Sequence, residues 1–223
     1  MSYTRFAVYY LPPDGPLAEF GATWLGWDVA RGRMVDQFTV PGICDITMTP
    51  RKYGFHGTLK PPFRLRAGCD VVQLRSALAD LAGGCASAQC DTLQVSRLGS
   101  FLALTLVGDT SGIAGIAATC VRELDGFRAP PGEEELIRRR KAGLTDRQDA
   151  LLARWGYPYV MEEFRFHLTL TGRLPKDAIR NWEEHVRRHL PALPSPFVMD
   201  TIALVGERED GCFELIQRYA LTG

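Results

Sequence analysis

The sequence predicts an α+β protein built from two copies of one lobe. Three observations carry this. Strand-like and helix-like segments recur in the same order in both halves of the chain. The tetrapeptide pattern H-x-T-L occurs twice, at corresponding places in that order. The composition, 46% hydrophobic and 23% charged over 223 residues, suits a globular chain with a sizeable core.

The elements follow from local chemistry. Phe6 to Leu11 is β-rich and is stopped by Pro12-Pro13-Asp14-Gly15. Leu17, Phe20, Trp24 and Leu25 recur at helical spacing, which predicts a helix over 17–27. A loop rich in Gly, Pro and Thr runs to about Arg51, and 53–60 is a strand closed by Pro61-Pro62. An amphipathic helix over 71–81 ends near Gly83-Gly84. Strands over 93–97 and 101–107 flank the Gly99-Ser100 turn, and a helix covers 113–124. Residues 129–158 differ in kind: a Pro-Pro-Gly break, a highly charged stretch and a capping box, Thr145 with Gln148, predict an inserted helical arm. A strand over 164–171, a helix over 176–190 and two strands, 198–205 and 212–221, complete the chain. Strand 6–11 with its helix matches strand 101–107 with its helix, and the pairs beginning at 53 and 164 match likewise. Residues 1–223 thus read as a single domain of two interleaved lobes, one carrying the 53–60 strand and the other the 164–171 strand.

The two H-x-T-L motifs are His56-Gly57-Thr58-Leu59 and His167-Leu168-Thr169-Leu170, 111 residues apart. Side chains alternate faces along a strand, so His56 and Thr58 share a face that Lys60 should continue. In the second strand Arg165, His167, Thr169, Thr171 and Arg173 share a face, while Phe164, Phe166, Leu168 and Leu170 line the other. A lone H-x-T is common in ordinary strands; two columns of imidazole, hydroxyl and cation at matching places point to a site. Imidazole titrates near pH 6.5, so two of them can serve one phosphorus as general base and general acid. Threonine hydroxyls can donate to the non-bridging oxygens. This predicts His56, His167, Thr58 and Thr169 as catalytic, with Lys60, Arg165, Thr171 and Arg173 as substrate-binding groups. Tyr53 joins them only if Gly54 bends the chain, since its parity is otherwise wrong.

Charge is segregated. The formal net charge is zero, yet 51–69 holds five cations and no acid, and 164–173 holds two cations and no acid. A small anionic phosphate ester fits this better than long nucleic acid, which a strong basic excess would favour. No apolar run approaches the length of a membrane span. Met1 to Leu11 lacks a signal-peptide pattern and the six cysteines form no C-x-x-C pair, which predicts a cytoplasmic protein with reduced thiols. His185 and His189 are four apart on a predicted helix, but no third ligand accompanies them, so no metal and no other cofactor is expected. Arg138 to Lys141, close to three glutamates, reads as a salt-bridged helix that could also cap the cleft. Neither G-x-x-x-x-G-K-[ST] nor G-x-G-x-x-G occurs.

At these residues the sequence resembles the 2H phosphoesterase superfamily, named for its two H-x-[T/S]-x motifs. The resemblance implies a bilobal, pseudo-symmetric fold with antiparallel sheets forming a central cleft and helices outside. It also implies metal-independent action on cyclic phosphodiesters, with His56 and His167 as the catalytic pair. The stretches Arg51 to Lys60 and Trp155 to Thr171 further resemble a bacterial subgroup associated with phosphonate metabolism. That implies a small ester such as a cyclic ribose phosphate. Two other readings stay open: a phosphodiesterase or ligase acting on 2′,3′-cyclic RNA ends, and a non-catalytic module that binds a phosphorylated metabolite.

Overall fold

The computed structural model describes residues 3–141 and 143–223. Met1, Ser2 and Ala142, which fall in the N-terminal segment and in the 129–158 segment, lie outside the described residues. The elements in chain order are β1 (Phe6–Tyr10), α1 (Pro16–Leu25), β2 (Trp27–Asp28), β3 (Arg33–Met34), α2 (Ile43–Arg51), β4 (Gly57–Phe63), α3 (Val71–Gly83), β5 (Ala88–Cys90), β6 (Thr92–Leu98), β7 (Phe101–Val107) and α4 (Ser111–Glu123). Then come α5 (Glu133–Arg140), α6 (Asp146–Trp155), β8 (His167–Thr169), α7 (Ile179–His189), β9 (Phe197–Met199), β10 (Thr201–Glu207) and β11 (Phe213–Ala220). The fold is α+β, as the element pattern predicts.

Seven strands form one antiparallel sheet in the order β11-β10-β1-β4-β8-β7-β6. The two motif strands lie side by side at its middle and touch through one register pair, Gly57 with Leu168. On one side of that seam are β1 and the C-terminal hairpin; on the other are β7 and β6. The last strands therefore return to the first, and the middle strands join the second motif. β1 is buried on both faces, which explains its unbroken apolar run. Phe6, Val8 and Tyr10 enter the main core under the helices. Ala7, Tyr9 and Leu11 enter a second cluster with Trp27, Val29, Val205 and Phe213 on the opposite face.

Several elements differ from the sequence reading. Residues 43–51, read as loop, form α2. Its composition is poor for a helix, and tertiary contacts hold it. Thr47 is buried and donates from Oγ1 to the Ile43 carbonyl at 2.7 Å. Arg51 donates from Nε to the Leu25 carbonyl at the end of α1, at 2.8 Å, and from Nη2 to Gln37 Oε1 at 2.7 Å. The second motif strand is three residues long rather than eight: the Leu170 and Thr171 amides both turn to the Leu102 carbonyl, and Gly172 donates to Ile46. The first motif strand begins at Gly57 and runs on through both prolines. Residues 129–158 contain α5 and α6, and both halves of the Thr145–Gln148 capping box are present. The charged run is ion-paired as read, Arg139 with Glu135 at 2.6 Å and Arg140 with Asp149 at 2.7 Å. All six cysteines are unpaired.

Lys60 does not continue the histidine column. Tyr9 pairs with Thr58 and Val8 with Lys60, so Leu59 is an extra residue in β4 and the alternation reverses there. Lys60 is 2% exposed, donates to the Val121 carbonyl at 3.1 Å, and stands 3.9 Å from Asp125. Burial pushes its ammonium down to about 8. The unfolded chain holds this proton up to a higher pH than the folded one. Lys60 therefore costs stability below about pH 8, and the cost is relieved as pH rises towards its unfolded value. Lys60→Met should be at least as stable as wild type at pH 7 and should flatten the rise in stability between pH 8 and 10. Melting curves across that range check it.

Candidate active site

The motif strands place two histidines in a related way. His56 Nδ1 lies 2.9 Å from the Gly54 carbonyl oxygen, and His167 Nδ1 lies 2.8 Å from that of Arg165. A carbonyl oxygen only accepts, so each Nδ1 carries a proton and, in the neutral ring, each Nε2 is the proton-accepting nitrogen. His56 Nε2 lies 3.0 Å from Thr58 Oγ1. The local backbone explains the first of these geometries. Gly54 has φ +73°, the left-handed region, and a Cβ there would meet Val29 at 2.5 Å. The bend brings Tyr53 to the cleft, the condition under which the sequence admitted it.

Two cavities flank the seam. The larger, about 560 Å³, is lined by His167 and Thr58 together with Arg97, Phe101, Gln148, Tyr157, Tyr159, Glu163 and Arg165. The smaller, about 240 Å³, is lined by His56 and Thr169 together with Pro50, Tyr53, Phe101, Thr171, Gly172 and Arg173. Each cavity thus holds one motif's histidine, the other motif's threonine and at least one arginine. Phe101 belongs to both, with its ring centroid 5.8 Å from that of His167.

The two imidazoles sit in different surroundings. Tyr9 stacks on His56, with centroids 3.8 Å apart and 25° between planes. Burial pushes His56 down to about 4, against the Gly54 hydrogen bond and with a further small push from His167. His56 is therefore neutral near pH 7. Its folded state binds a proton less readily than its unfolded one, so this part of the stability is present above about pH 6.5 and is lost as pH falls through 4.

Of the residues singled out from the sequence, His56, His167, Thr58, Thr169, Tyr53, Arg165 and Arg173 line the two cavities. Lys60 lines neither, for the reason given above. Thr171 touches the smaller cavity, but it is 1% exposed and its hydroxyl is taken: it accepts from the Leu102 amide at 3.0 Å and donates to the Gly172 carbonyl at 2.9 Å. Its role is to pin the end of β8, a correction to its reading as a substrate ligand. His185 and His189 are half-buried rather than solvated, and His189 packs on Phe38 at 4.7 Å. Among the described residues no three His, Cys, Asp or Glu side chains gather as a metal site would require. No described helix is long and apolar enough to cross a membrane.

Tyr9, Phe101, Gln148, Tyr157, Tyr159, Glu163 and Arg97 were not legible as site residues. Gln148 comes from α6 and donates from Nε2 to Glu163 at 2.9 Å; Arg139 of α5 lies over the Tyr157 ring at 4.7 Å. The arm thus builds one wall of the larger cavity. Tyr9 has a separable contribution. Its hydroxyl is buried without a hydrogen-bond partner, so Tyr9→Phe should keep activity and fold. Tyr9→Ala should cost about 3–5 kcal/mol as a core truncation and raise the pKa of His56, read by NMR titration of its ring.

Comparison with known proteins places the chain among relatives. It is 38% identical over 234 residues to "Ribose 1,5-bisphosphate phosphokinase PhnN" of Janthinobacterium sp. (strain Marseille), covering 100% of this chain and 52% of that protein. It is 34% identical over 216 residues to the protein of the same name from Laribacter hongkongensis (strain HLHK9), covering 93% of this chain and 49% of that one. The chain spans about half the length of these curated relatives. Among solved structures it is similar to E. coli LigT in its apo form, TM-score 0.46 at 15% identity over 100% of both chains. It is also similar to TT0787 of Thermus thermophilus, TM-score 0.47 at 15% identity over 98% of both. A family model described as "Protein of unknown function (DUF1045)" matches residues 58–214, from the threonine of the first motif, through the whole second motif, to β11. Both cavities draw most of their walls from that span, and the chain belongs to the DUF1045 family.

Proposed function

We propose that this chain hydrolyses a small cyclic phosphodiester by two-histidine acid–base catalysis, drawing on no metal ion. The carrying observation is the pair of imidazoles at the paired motif strands, each with Nδ1 tied to a backbone carbonyl, and each lining a cavity together with the partner motif's threonine. One Nε2 takes a proton from water, the other gives one to the leaving oxygen, and Thr58 and Thr169 donate to the non-bridging oxygens as charge grows. Arg165 and Arg173, one in each cavity, attract the anion.

The substrate class we favour is a cyclic ribose phosphate in phosphonate metabolism. Two things support it: the motif resemblance to 2H phosphoesterases, and the name of the longer relatives, which refers to ribose 1,5-bisphosphate. This chain lacks the G-x-x-x-x-G-K-[ST] loop of many kinases. A cyclic ribose phosphate opens by hydrolysis to a ribose phosphate monoester, the chemical class named in those relatives. The test is a hydrolysis panel of cyclic ribose phosphates, cyclic nucleotides and 2′,3′-cyclic-ended RNA, with His167→Ala as control. Turnover of the small cyclic esters, lost in the control, is expected. Turnover confined to RNA ends would replace the substrate class, and binding without turnover across the panel would replace the enzyme by a sensor.

A further inference from the structure

The larger cavity is lined by two arginines, Arg97 and Arg165, and also by one carboxylate, that of Glu163. The smaller has Arg173 and no carboxylate among the described residues that line it. We infer that Glu163 is a specificity-determining residue: its carboxylate accepts hydrogen bonds from free hydroxyls on the substrate's carbon skeleton, so that the site selects a sugar ester over an ester without hydroxyls. Gln148, from the arm, is the positioning residue that holds it. The inference rests on the diesterase reading above and extends it to the uncharged part of the substrate.

Glu163 is held in place from two sides. Gln148 donates from Nε2 to Glu163 Oε2 at 2.9 Å. The other end of that amide fixes its orientation: Gln148 Oε1 accepts from the Thr145 amide at 3.1 Å, in the capping box that starts α6. With its oxygen used there, the amide must present its NH2 to Glu163. The backbone is constrained as well. Met161–Glu163 form a single 3₁₀ turn, and Met161 has φ +55°, in the left-handed region that a methionine rarely adopts. Packing of Met161 on the cluster of Val121, Leu151 and Val160 holds it there. The neighbouring acid, Glu162, is paired with Arg147, whereas no cation among the described residues forms an ion pair with Glu163.

The chemistry of the carboxylate selects what lies against it. An ionised carboxylate only accepts hydrogen bonds, and an ionised phosphate oxygen likewise accepts. The two repel, so the part of the substrate beside Glu163 is not its phosphate but a group that donates. In an ester of a sugar those donors are the hydroxyls left free by the phosphate. The space and the other walls agree. A cavity of about 560 Å³ admits a sugar-sized group, and a few placed polar groups are what orient one. Tyr157 and Tyr159, with ring centroids 5.8 Å apart, bring hydroxyls that donate or accept and apolar faces for the sugar's carbons. A carboxylate held for a hydroxyl discriminates strongly, because a ligand without that hydroxyl leaves it unpaired when water is displaced.

The experiment measures KM and kcat of wild type and Glu163→Gln, a variant that keeps the side chain's size and still accepts from Gln148. The substrates are a cyclic ribose phosphate and the cyclic phosphate of ethylene glycol, which has no free hydroxyl. On the ribose ester KM should rise about 10–100-fold while kcat stays within about threefold, the signature of lost binding. On the glycol ester that rise should be absent. Gln148→Ala should raise KM for the ribose ester by a smaller factor, with the same split from kcat. Calorimetry supplies an arm that needs no turnover. Ribose 5-phosphate should bind Glu163→Gln about tenfold more weakly than wild type, whereas inorganic phosphate should show no such loss. Equal losses on both esters or on both calorimetric ligands, or no loss on the ribose ligands, would overturn the role of Glu163. The calorimetric pair decides should wild type leave the glycol ester intact. Turnover of neither ester by wild type, with the calorimetric difference present, would overturn the diesterase reading and keep Glu163 as a sugar-recognising group.

Discussion

Removing either imidazole should lower turnover of a cyclic phosphodiester by about 10²–10⁴-fold while the fold persists. The loss is expected to be large because each histidine is held for proton transfer at one nitrogen. A backbone carbonyl 2.8–2.9 Å from Nδ1 fixes the tautomer and the ring plane in both motifs. Stability should change little at His167, whose side chain is only half-buried at the edge of the larger cavity. His56→Ala removes the partner of the Tyr9 stack and should lower the melting temperature more. His56 should titrate near pH 4 rather than near 6.5 in an NMR titration of its ring, because burial holds it down to about 4. Kinetics on purified variants, with circular dichroism to confirm folding, check both parts. A variant that keeps the wild-type rate on a substrate the enzyme cleaves would remove that histidine from the mechanism.

The second large effect is expected at Gly57. A Cβ there would stand 2.3 Å from Cε2 of Phe166, a distance no packed structure accepts, so something must shift. Gly57 is the residue through which β4 meets β8, and Phe166 immediately precedes His167. Pushing the Phe166 ring away therefore moves the neighbouring motif strand. Gly57→Ala should cost about 1–3 kcal/mol of stability by overpacking. It should also lower kcat by at least tenfold through misplacement of His167, since small displacements of a catalytic group are costly. Shortening the opposing ring supplies the control: Phe166→Leu in the Gly57→Ala background should recover part of both losses. No recovery in the double variant would mean that the glycine serves something other than this close approach.

The second position of the first motif thus has a reason invisible in one dimension. In the sequence it is only the variable x of H-x-T, occupied by Gly57 in one copy and Leu168 in the other. The two residues pair across the seam, and the space a side chain at position 57 would need is filled by the ring of Phe166. Lys60 shows the complementary failure. Parity counted along the strand places it beside Thr58, but the extra residue in β4 is a property of its pairing with β1. His167 and Thr169 were legible because alternation is set by the local backbone of the strand, whereas Arg165 and Arg173 lie outside β8 and reach the two cavities from its flanks.

What the sequence determined by itself is therefore what short-range geometry controls. The α+β class, the helix start at the Thr145–Gln148 capping box, the two H-x-T columns and the local excess of positive charge all follow from residues within a few positions of each other. Tertiary structure decided what depends on distant partners. It formed α2 from residues that favour loop, laid Tyr9 on His56, buried Lys60, took the Thr171 hydroxyl for the backbone, and brought Gln148 and Tyr157 from the arm to the larger cavity. It also made the two halves unequal. Repeated motifs specify matching strands, but the volume beside each histidine is set by whatever the rest of the chain packs there, about 560 Å³ at His167 against about 240 Å³ at His56.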